Sequence, residues 1–192
     1  MSVGAVRLRR SILICISMLF LTHGDQRALA QSVNEYQVKA AYLYNFAKFI
    51  QWPPEAFANE QSPLFLCIVG EDPFGQPLDG IAQGKMINGH ALMVRRTTNL
   101  DDLKTCQIVF IGTGDKKRLS DLLRRLKGSS ALAVGESREF AGMGGSIQFY
   151  LENDRIRFSI NVDALQRAHL TASSKLLALA KIVHDQEPNN GE

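Results

Sequence analysis

The segment Leu64-Phe65-Leu66-Cys67-Ile68-Val69-Gly70 is followed directly by Glu71-Asp72-Pro73-Phe74-Gly75. The first segment holds six consecutive apolar or thiol residues before its glycine, too few for a helix, and predicts a strand buried on both faces. Such strands are typical of parallel sheets that helices cover on both sides. The second segment predicts a turn at the carboxyl end of the strand, the edge where open α/β sheets bind ligands.

The first 30 residues have the three regions of a secretory signal peptide. A basic stretch, an apolar run and an A-x-A cleavage site follow one another at residues 7–10, 12–21 and 28–30. The apolar run is shorter than the ~20 residues that a membrane span needs, and an uncleaved anchor is the alternative. Bulky residues before Cys15 disfavour processing as a lipoprotein. The sequence therefore predicts export, with the mature chain beginning at Gln31.

Cleavage at this site changes the charge of the protein. The precursor has a formal net charge of +3, from 22 basic and 19 acidic residues. The predicted signal peptide holds four of the basic residues and one of the acidic residues, so the mature chain is formally neutral. A neutral chain gives no electrostatic support for nucleic-acid binding, and we expect no nucleic-acid partner.

Two of the three cysteines, Cys67 and Cys106, remain after cleavage. In an oxidising compartment such a pair usually forms a disulfide. The bridge would close a loop of about 40 residues and would stabilise the fold by ~4 kcal/mol in the chain-entropy model. The alternative is a pair of buried thiols, which protein cores accommodate readily.

A helix is predicted at the start of the mature chain. The Ser-x-x-Glu pattern of residues 32–35 is a capping box, and the helix must end before Pro53-Pro54. Apolar residues cover nearly its whole circumference, which is typical of a buried helix. The alternative is that one face docks a partner, with Tyr42, Phe49 and Trp52 as the candidate contact residues.

Strands and helices alternate along the rest of the chain and then give way to a hairpin. Apolar runs and turn signals predict strands 64–70, 91–96, 106–111 and 131–134, helices 76–83 and 116–127, a brief helix at Phe140, paired strands 146–151 and 155–160, and a helical stretch 163–183. This order predicts an α/β fold, a three-layer sandwich whose mostly parallel sheet carries a C-terminal antiparallel hairpin. We expect one domain over residues 31–186 and a disordered polar tail over residues 187–192.

Three predicted strands end in glycine-containing turns that carry acidic or hydroxyl side chains. Right-handed crossovers would gather these turns at one edge of the sheet, where backbone amides could bind an anion. The candidate ligand residues are Glu71, Asp72, Gly112, Thr113, Gly114, Asp115, Glu136 and Ser137. The turns lack the Walker and dinucleotide-binding motifs, and ordinary strand-to-helix turns are the alternative interpretation.

No catalytic or metal-binding constellation is visible in the sequence. The histidines of the mature chain, His90, His169 and His184, are scattered and form neither a triad nor a zinc pattern. No nucleophile can be paired with a base. We therefore expect no enzyme activity, no cofactor and no metal.

Several segments resemble the YfiR-like family. The most distinctive are residues 36–53 and 173–180, and residues 69–75, 106–112 and 158–161 are also similar. The similarity covers nearly the whole mature chain. It implies a Rossmann-like α/β fold, a tendency to dimerise, and a disulfide between Cys67 and Cys106.

The resemblance also implies a function. The type member of the family is a periplasmic repressor that binds the periplasmic domain of an inner-membrane diguanylate cyclase and holds it inactive. A peptidoglycan-associated outer-membrane lipoprotein relieves the repression by sequestering the repressor. We therefore expect a non-enzymatic periplasmic regulator that lowers cyclic di-GMP. The alternative is a periplasmic small-molecule sensor with its ligand at the edge formed by Gly70, Gly112 and Gly135.

One departure from the type member is visible. That protein carries a second cysteine pair near the C-terminal hairpin, whereas this chain has no cysteine after Cys106. We therefore expect no redox control through a second pair in this protein.

Overall fold

The structure is a computed structural model that describes residues 23–185, with side chains described from Glu35 onward. The predicted tail 187–192 lies outside the described residues, as does most of the predicted signal peptide 1–30. The chain divides into two units, Met1–Tyr36 and Gln37–Glu192.

Helix α1 (His23–Phe49) runs through the boundary of the two units. It begins well before Ser32, so the capping box predicted at residues 32–35 does not start the helix. The alanines and leucine of residues 28–30 are strong helix formers. They allow the helix to continue through the capping pattern instead of starting there. The helix ends before Pro53-Pro54, as predicted.

The second unit is built on a mixed sheet that is mostly parallel. In chain order the strands are β1 (Ile50–Gln51), β2 (Leu64–Gly70), β3 (Met86–Ile87), β4 (His90–Arg96), β5 (Ile108–Gly112), β6 (Leu132–Gly135), β7 (Ile147–Glu152), β8 (Arg155–Asn161), β9 (Thr171–Ala172) and β10 (Lys181–Val183). The main sheet has the order β10-β8-β7-β6-β5-β2-β4-β3. Its β7–β8 and β3–β4 pairs are antiparallel and its other pairs are parallel. The predicted mostly parallel sheet with a C-terminal hairpin is confirmed.

Helices cover the two faces of this sheet. After α1 they are α2 (Gln76–Ala82), α3 (Lys116–Leu126), α4 (Val162–Arg167) and α5 (Ser174–Leu177), with 3₁₀ turns at Pro54–Ala56 and Leu100–Thr105. α1 packs Tyr42 and Phe46 against Phe149 and Phe158 on one face, with ring centroids 5.1–6.0 Å apart. α3 covers the opposite face, so the second unit is the three-layer sandwich that the sequence predicts.

The α3 face holds a contiguous apolar core. Leu119, Leu122, Leu123 and Leu126 recur at helical spacing and are all buried. They pack in one cluster with the inward side chains of β2, β5 and β6 and with Cys67, Cys106 and Phe140. The helical spacing of the leucines therefore positions α3 over the middle of the sheet.

Residues 137–144 form successive turns, and the brief helix predicted at Phe140 is wrong. The Phe140 ring lies between two glycines. A Cβ on Gly135 would come within 2.3 Å of the ring, and one on Gly145 within 2.1 Å. Gly144 has a φ of +99°, which a helix does not allow. Glu139, just before Phe140, also has a positive φ of +69°, so the backbone on both sides of Phe140 departs from helical geometry.

The helical stretch predicted for residues 163–183 is also wrong. α4 ends at Arg167, and His169 has a φ of +56° that no right-handed helix continues through. The chain then forms β9, which pairs with β1, followed by α5 and the edge strand β10. Leucine- and alanine-rich composition favours helix, but Ile182 and Val183 are β-branched, and β8 offers them an unpaired edge.

Candidate functional site

The three predicted turns lie side by side at the carboxyl edge of the sheet. β2, β5 and β6 are neighbouring parallel strands, and their register pairs Gly70 with Gly112 and Ile111 with Gly135. The structure therefore brings together the candidate ligand residues that follow these strands, as the sequence predicts.

Gly70 and Gly112 allow two of these turns to approach each other closely. The amide N–H of Glu71 donates to the carbonyl oxygen of Gly112 at 2.8 Å. A Cβ on Gly112 would lie 2.0 Å from the carbonyl oxygen of Glu71, and a Cβ on Gly70 would lie 2.3 Å from the oxygen of Gly112. Backbone packing at this edge therefore requires both glycines.

Asp72 is held by a cation on a neighbouring strand. The Arg96 side chain donates from Nε to Asp72 at 2.6 Å and also donates two bonds to Asp79, at 2.8 and 3.0 Å. Partial burial would raise the pKa of the Asp72 carboxyl, but the bonds from Arg96 and from the amides of Phe74 and Gly75 hold that pKa below its usual value. Asp72 is therefore an ionised side chain that fixes the β2–α2 turn.

The second turn forms the start of α3. The Asp115 side chain accepts from the amide of Arg118 at 2.6 Å, which makes it the N-cap of the helix. The Thr113 hydroxyl accepts from the Asp115 amide at 3.2 Å, and the Ser137 hydroxyl donates to the Thr113 carbonyl. Gly114 is exposed, and a Cβ there would meet no atom within 4 Å. These groups tie the ends of β5 and β6 together.

Glu136 is paired with Lys39 of α1. The Lys39 side chain is 6% exposed and the Glu136 side chain 30% exposed, and the two form an ion pair. A buried ammonium is costly unless it is paired. This contact therefore holds α1 against the carboxyl end of β6, and sequence spacing could not predict it because the two residues are far apart in the chain.

The contacts at the carboxyl edge are helix caps, ion pairs and close backbone packing. Among the candidate ligand residues, Glu71 presents an exposed carboxylate, whereas Asp72, Asp115, Glu136 and Ser137 are all engaged within the protein. This arrangement favours ordinary strand-to-helix turns. Ligand binding at this edge stays a prediction.

The three candidate partner residues, Tyr42, Phe49 and Trp52, are all half-buried. The Trp52 indole N–H donates to the carbonyl of Gln107 at 3.1 Å, just before β5. The Phe49 carbonyl accepts from the amide of Ser173, which joins the end of α1 to the C-terminal segment. Each residue therefore has a structural contact and also a surface that faces solvent.

An exposed apolar patch lies at the carboxyl edge of the sheet, on the face that α1 covers and one helical turn from Tyr42. Because Trp52 reaches the start of β5 and Lys39 the end of β6, α1 runs antiparallel to these strands. Val38, one turn before Tyr42, is therefore at the end of the sheet where Leu151 and Ile156 form a cross-strand pair. Val38 is 40% exposed and Leu151 is 59% exposed. We call Val38, Tyr42, Leu151 and Ile156 the hairpin patch.

The sequence contained part of the signal for the hairpin patch. Alternation in residues 155–160 predicts that Ile156, Phe158 and Ile160 share one apolar face. It cannot show that the helix above this face buries Phe158 and leaves Leu151 uncovered, because that depends on where α1 crosses the hairpin.

Cys67 and Cys106 form a disulfide in the structure, with their Cα atoms 6.0 Å apart. Cys67 lies within β2, and Cys106 follows the 3₁₀ turn that leads into β5. Both residues are buried in the α3 core. The predicted bridge is therefore confirmed, and the alternative of two buried thiols is not.

The described part of the chain contains neither a metal-binding cluster nor a membrane-spanning helix. Within residues 23–185, no cluster of three or more His, Cys, Asp or Glu side chains has a geometry that could hold a metal ion. Over the same residues, no helix combines the length and apolar character of a membrane span.

Comparison with protein families decides the relationship of this chain. The model of YfiR/HmsC-like proteins matches residues 36–181, which is most of the chain and includes the disulfide and the hairpin patch. This chain belongs to the YfiR/HmsC-like family.

A comparison with solved structures gives a more distant similarity. The ABC domain in complex with L-Trp from Streptococcus pneumonia superimposes with a TM-score of 0.43 at 8% sequence identity. The aligned region covers 62% of this YfiR/HmsC-like chain and 55% of that chain, so the protein spans about half the length of this neighbour.

Proposed function

We propose that this protein binds the periplasmic domain of an inner-membrane diguanylate cyclase and holds the cyclase inactive, so that cyclic di-GMP falls. The observation that carries the proposal is the YfiR/HmsC-like match over residues 36–181. The proposal is regulatory and non-enzymatic, and it requires the predicted export of the chain after cleavage at residue 30.

The location of the protein limits how it can act. An exported protein is separated by the inner membrane from the cytosolic nucleotide pool. It can therefore change that pool through a protein that spans the membrane. For near-complete switching, the repressor must bind the inactive state of the cyclase more tightly than the active state by ~5.5 kcal/mol.

We propose the hairpin patch as the contact surface for the cyclase. Its exposed side chains are Val38 and Leu151, and it includes the half-buried Tyr42, an aromatic residue of the kind that anchors interfaces. The mature chain is formally neutral, so electrostatic steering contributes little to the encounter. An apolar contact is the more effective source of affinity for such a surface.

The proposed relief mechanism uses the same surface. A peptidoglycan-associated outer-membrane lipoprotein that covered the hairpin patch would compete with the cyclase and release it. Dimerisation, which the family resemblance implies, would be compatible with repression if the dimer leaves this patch exposed.

Leu151→Asp tests the contact surface. The residue is exposed, so the variant should fold, whereas a carboxylate in an apolar interface costs ~2 kcal/mol or more. We expect the amount of cyclase captured from detergent-solubilised membranes to fall at least tenfold. In cells, cyclic di-GMP should rise toward the level of a strain that lacks the gene.

Met86→Asp is the matched control. Met86 is 60% exposed and lies on β3, the edge strand on the far side of the sheet from the β7–β8 hairpin. This variant should capture the cyclase as well as the unmodified protein does. Equal capture by the Leu151→Asp variant would exclude the hairpin patch as the contact. Failure of the unmodified protein to recover any diguanylate cyclase would contradict the proposed function.

A further inference from the structure

A cavity of about 280 Å³ lies at the amino edge of the sheet, opposite the edge that the sequence indicated. It is bounded by the C-terminal end of α3, the starts of β6 and β7, and α4. The proposed partner contact does not involve this place. Its size is near the lower limit of pockets that bind small organic ligands.

The walls of the cavity are aliphatic. Leu123 and Leu126 of α3 form one side, Ala133 of β6 the floor, and Ala164 and Ala168 the side toward α4. The small alanine side chains on two elements leave the volume open between the helices. Such a lining excludes a fully polar ligand and favours a compact aliphatic body.

A buried hydroxyl also lines the cavity. Ser146 is 3% exposed, and its oxygen accepts from the amide of Ala133 at 3.3 Å. Among the described residues, its hydroxyl proton has no acceptor. A ligand atom that accepts a hydrogen bond would satisfy this donor.

The rim of the cavity is cationic. Lys127 is exposed and has no ion-pair partner within the described part of the chain. Arg167, also on the rim, is paired with Asp185. The carbonyl of Leu126 at the end of α3 would repel an anion, but it accepts from both the amide and the hydroxyl of Ser129. The unneutralised charge at the rim is therefore positive.

We propose that this cavity binds a small organic acid, with its aliphatic body between α3 and α4 and its carboxylate beside Lys127. The aliphatic walls select the body, and the uncompensated ammonium selects the acid over its neutral analogue. The site does not depend on the proposed cyclase contact, because it lies at the other edge of the sheet from the hairpin patch.

The test uses 3-cyclohexylpropanoate and its neutral amide as probes of the secreted protein. Two-dimensional NMR titrations at low salt would measure both affinities and locate the shifted amides. We expect the acid to bind about tenfold more tightly than the amide. The shifts should be confined to residues 123–133, 144–146 and 164–168.

Three variants separate the contributions to binding. Lys127→Ala should reduce the affinity for the acid to that for the amide, whereas Lys117→Ala, an exposed lysine at the other end of α3, should leave it unchanged. Ala168→Leu should fill the cavity and prevent binding of both probes. Equal affinities for acid and amide in the unmodified protein, unchanged acid binding in Lys127→Ala, or no binding of either probe would each overturn the proposal.

Discussion

Replacing Cys67 and Cys106 together by alanine is expected to lower the free energy of unfolding by about 4 kcal/mol. The bridge joins residues separated by 39 positions, and in the chain-entropy model a cross-link of this span restricts the unfolded chain by that amount. Both sulfurs lie in the α3 core, so loss of packing adds to the effect. A change of this size is a large part of the stability of a domain of this length.

Urea unfolding of the unmodified protein, with and without a reductant, separates the two contributions. The reduced protein loses the cross-link and keeps both sulfur atoms, whereas the double alanine variant loses both. The variant should therefore unfold at the lowest urea concentration, and the oxidised protein at the highest. An unfolding midpoint that neither reduction nor substitution changes would show that the bridge does not stabilise the mature fold.

Gly112→Ala is expected to cost about 3 kcal/mol, the second large effect. The added Cβ would lie 2.0 Å from the backbone oxygen of Glu71, and a backbone atom cannot move aside as a flexible side chain can. Separation of the two turns would also lengthen the hydrogen bond from Glu71 to Gly112, which is worth about 1 kcal/mol.

Gly114→Ala provides the control within the same turn. A Cβ at Gly114 would meet no atom within 4 Å, so the free energy of unfolding should change by less than about 0.5 kcal/mol. Urea unfolding of both variants measures the difference. If Gly112→Ala were as stable as Gly114→Ala, close backbone packing would not be the reason for the glycine at Gly112.

The parts of the fold that the sequence could predict are those set by local pattern. β2 has the bounds that its apolar run and Gly70 indicate, and the leucines of α3 have the spacing of a buried helical stripe. In each case the signal lies within a few neighbouring residues.

The C-terminal segment was mispredicted because its structure depends on distant partners. Residues 174–177 form the helix that their composition favours, but residues 181–183 form β10 because they can pair with the edge of β8. β9 likewise depends on β1, which is more than a hundred residues earlier in the chain. Composition and periodicity contain no information about which strand edge is left unpaired.

The candidate sites show the same division. Crossover handedness correctly placed three turns at one edge, but it could not show that Lys39 would pair with Glu136 or that Arg96 would hold Asp72. The cavity at the amino edge was missed, because isolated alanines on β6 and α4 carry no pattern in the sequence. Its volume arises from the gap between two helices.

The compartment in which the protein acts is the central claim, and cyclic di-GMP measurement in a gene-deletion strain tests it most directly. The strain should have raised cyclic di-GMP. The full-length chain should restore the original level, and residues 31–192 retained in the cytosol should fail to do so. An exported Cys67→Ala/Cys106→Ala variant controls for the disulfide that the cytosol does not form, and immunoblots equalise the amounts of protein. The account predicts that exported forms repress and the cytosolic form does not. A cytosolic form that lowers cyclic di-GMP as fully as the exported protein would contradict it.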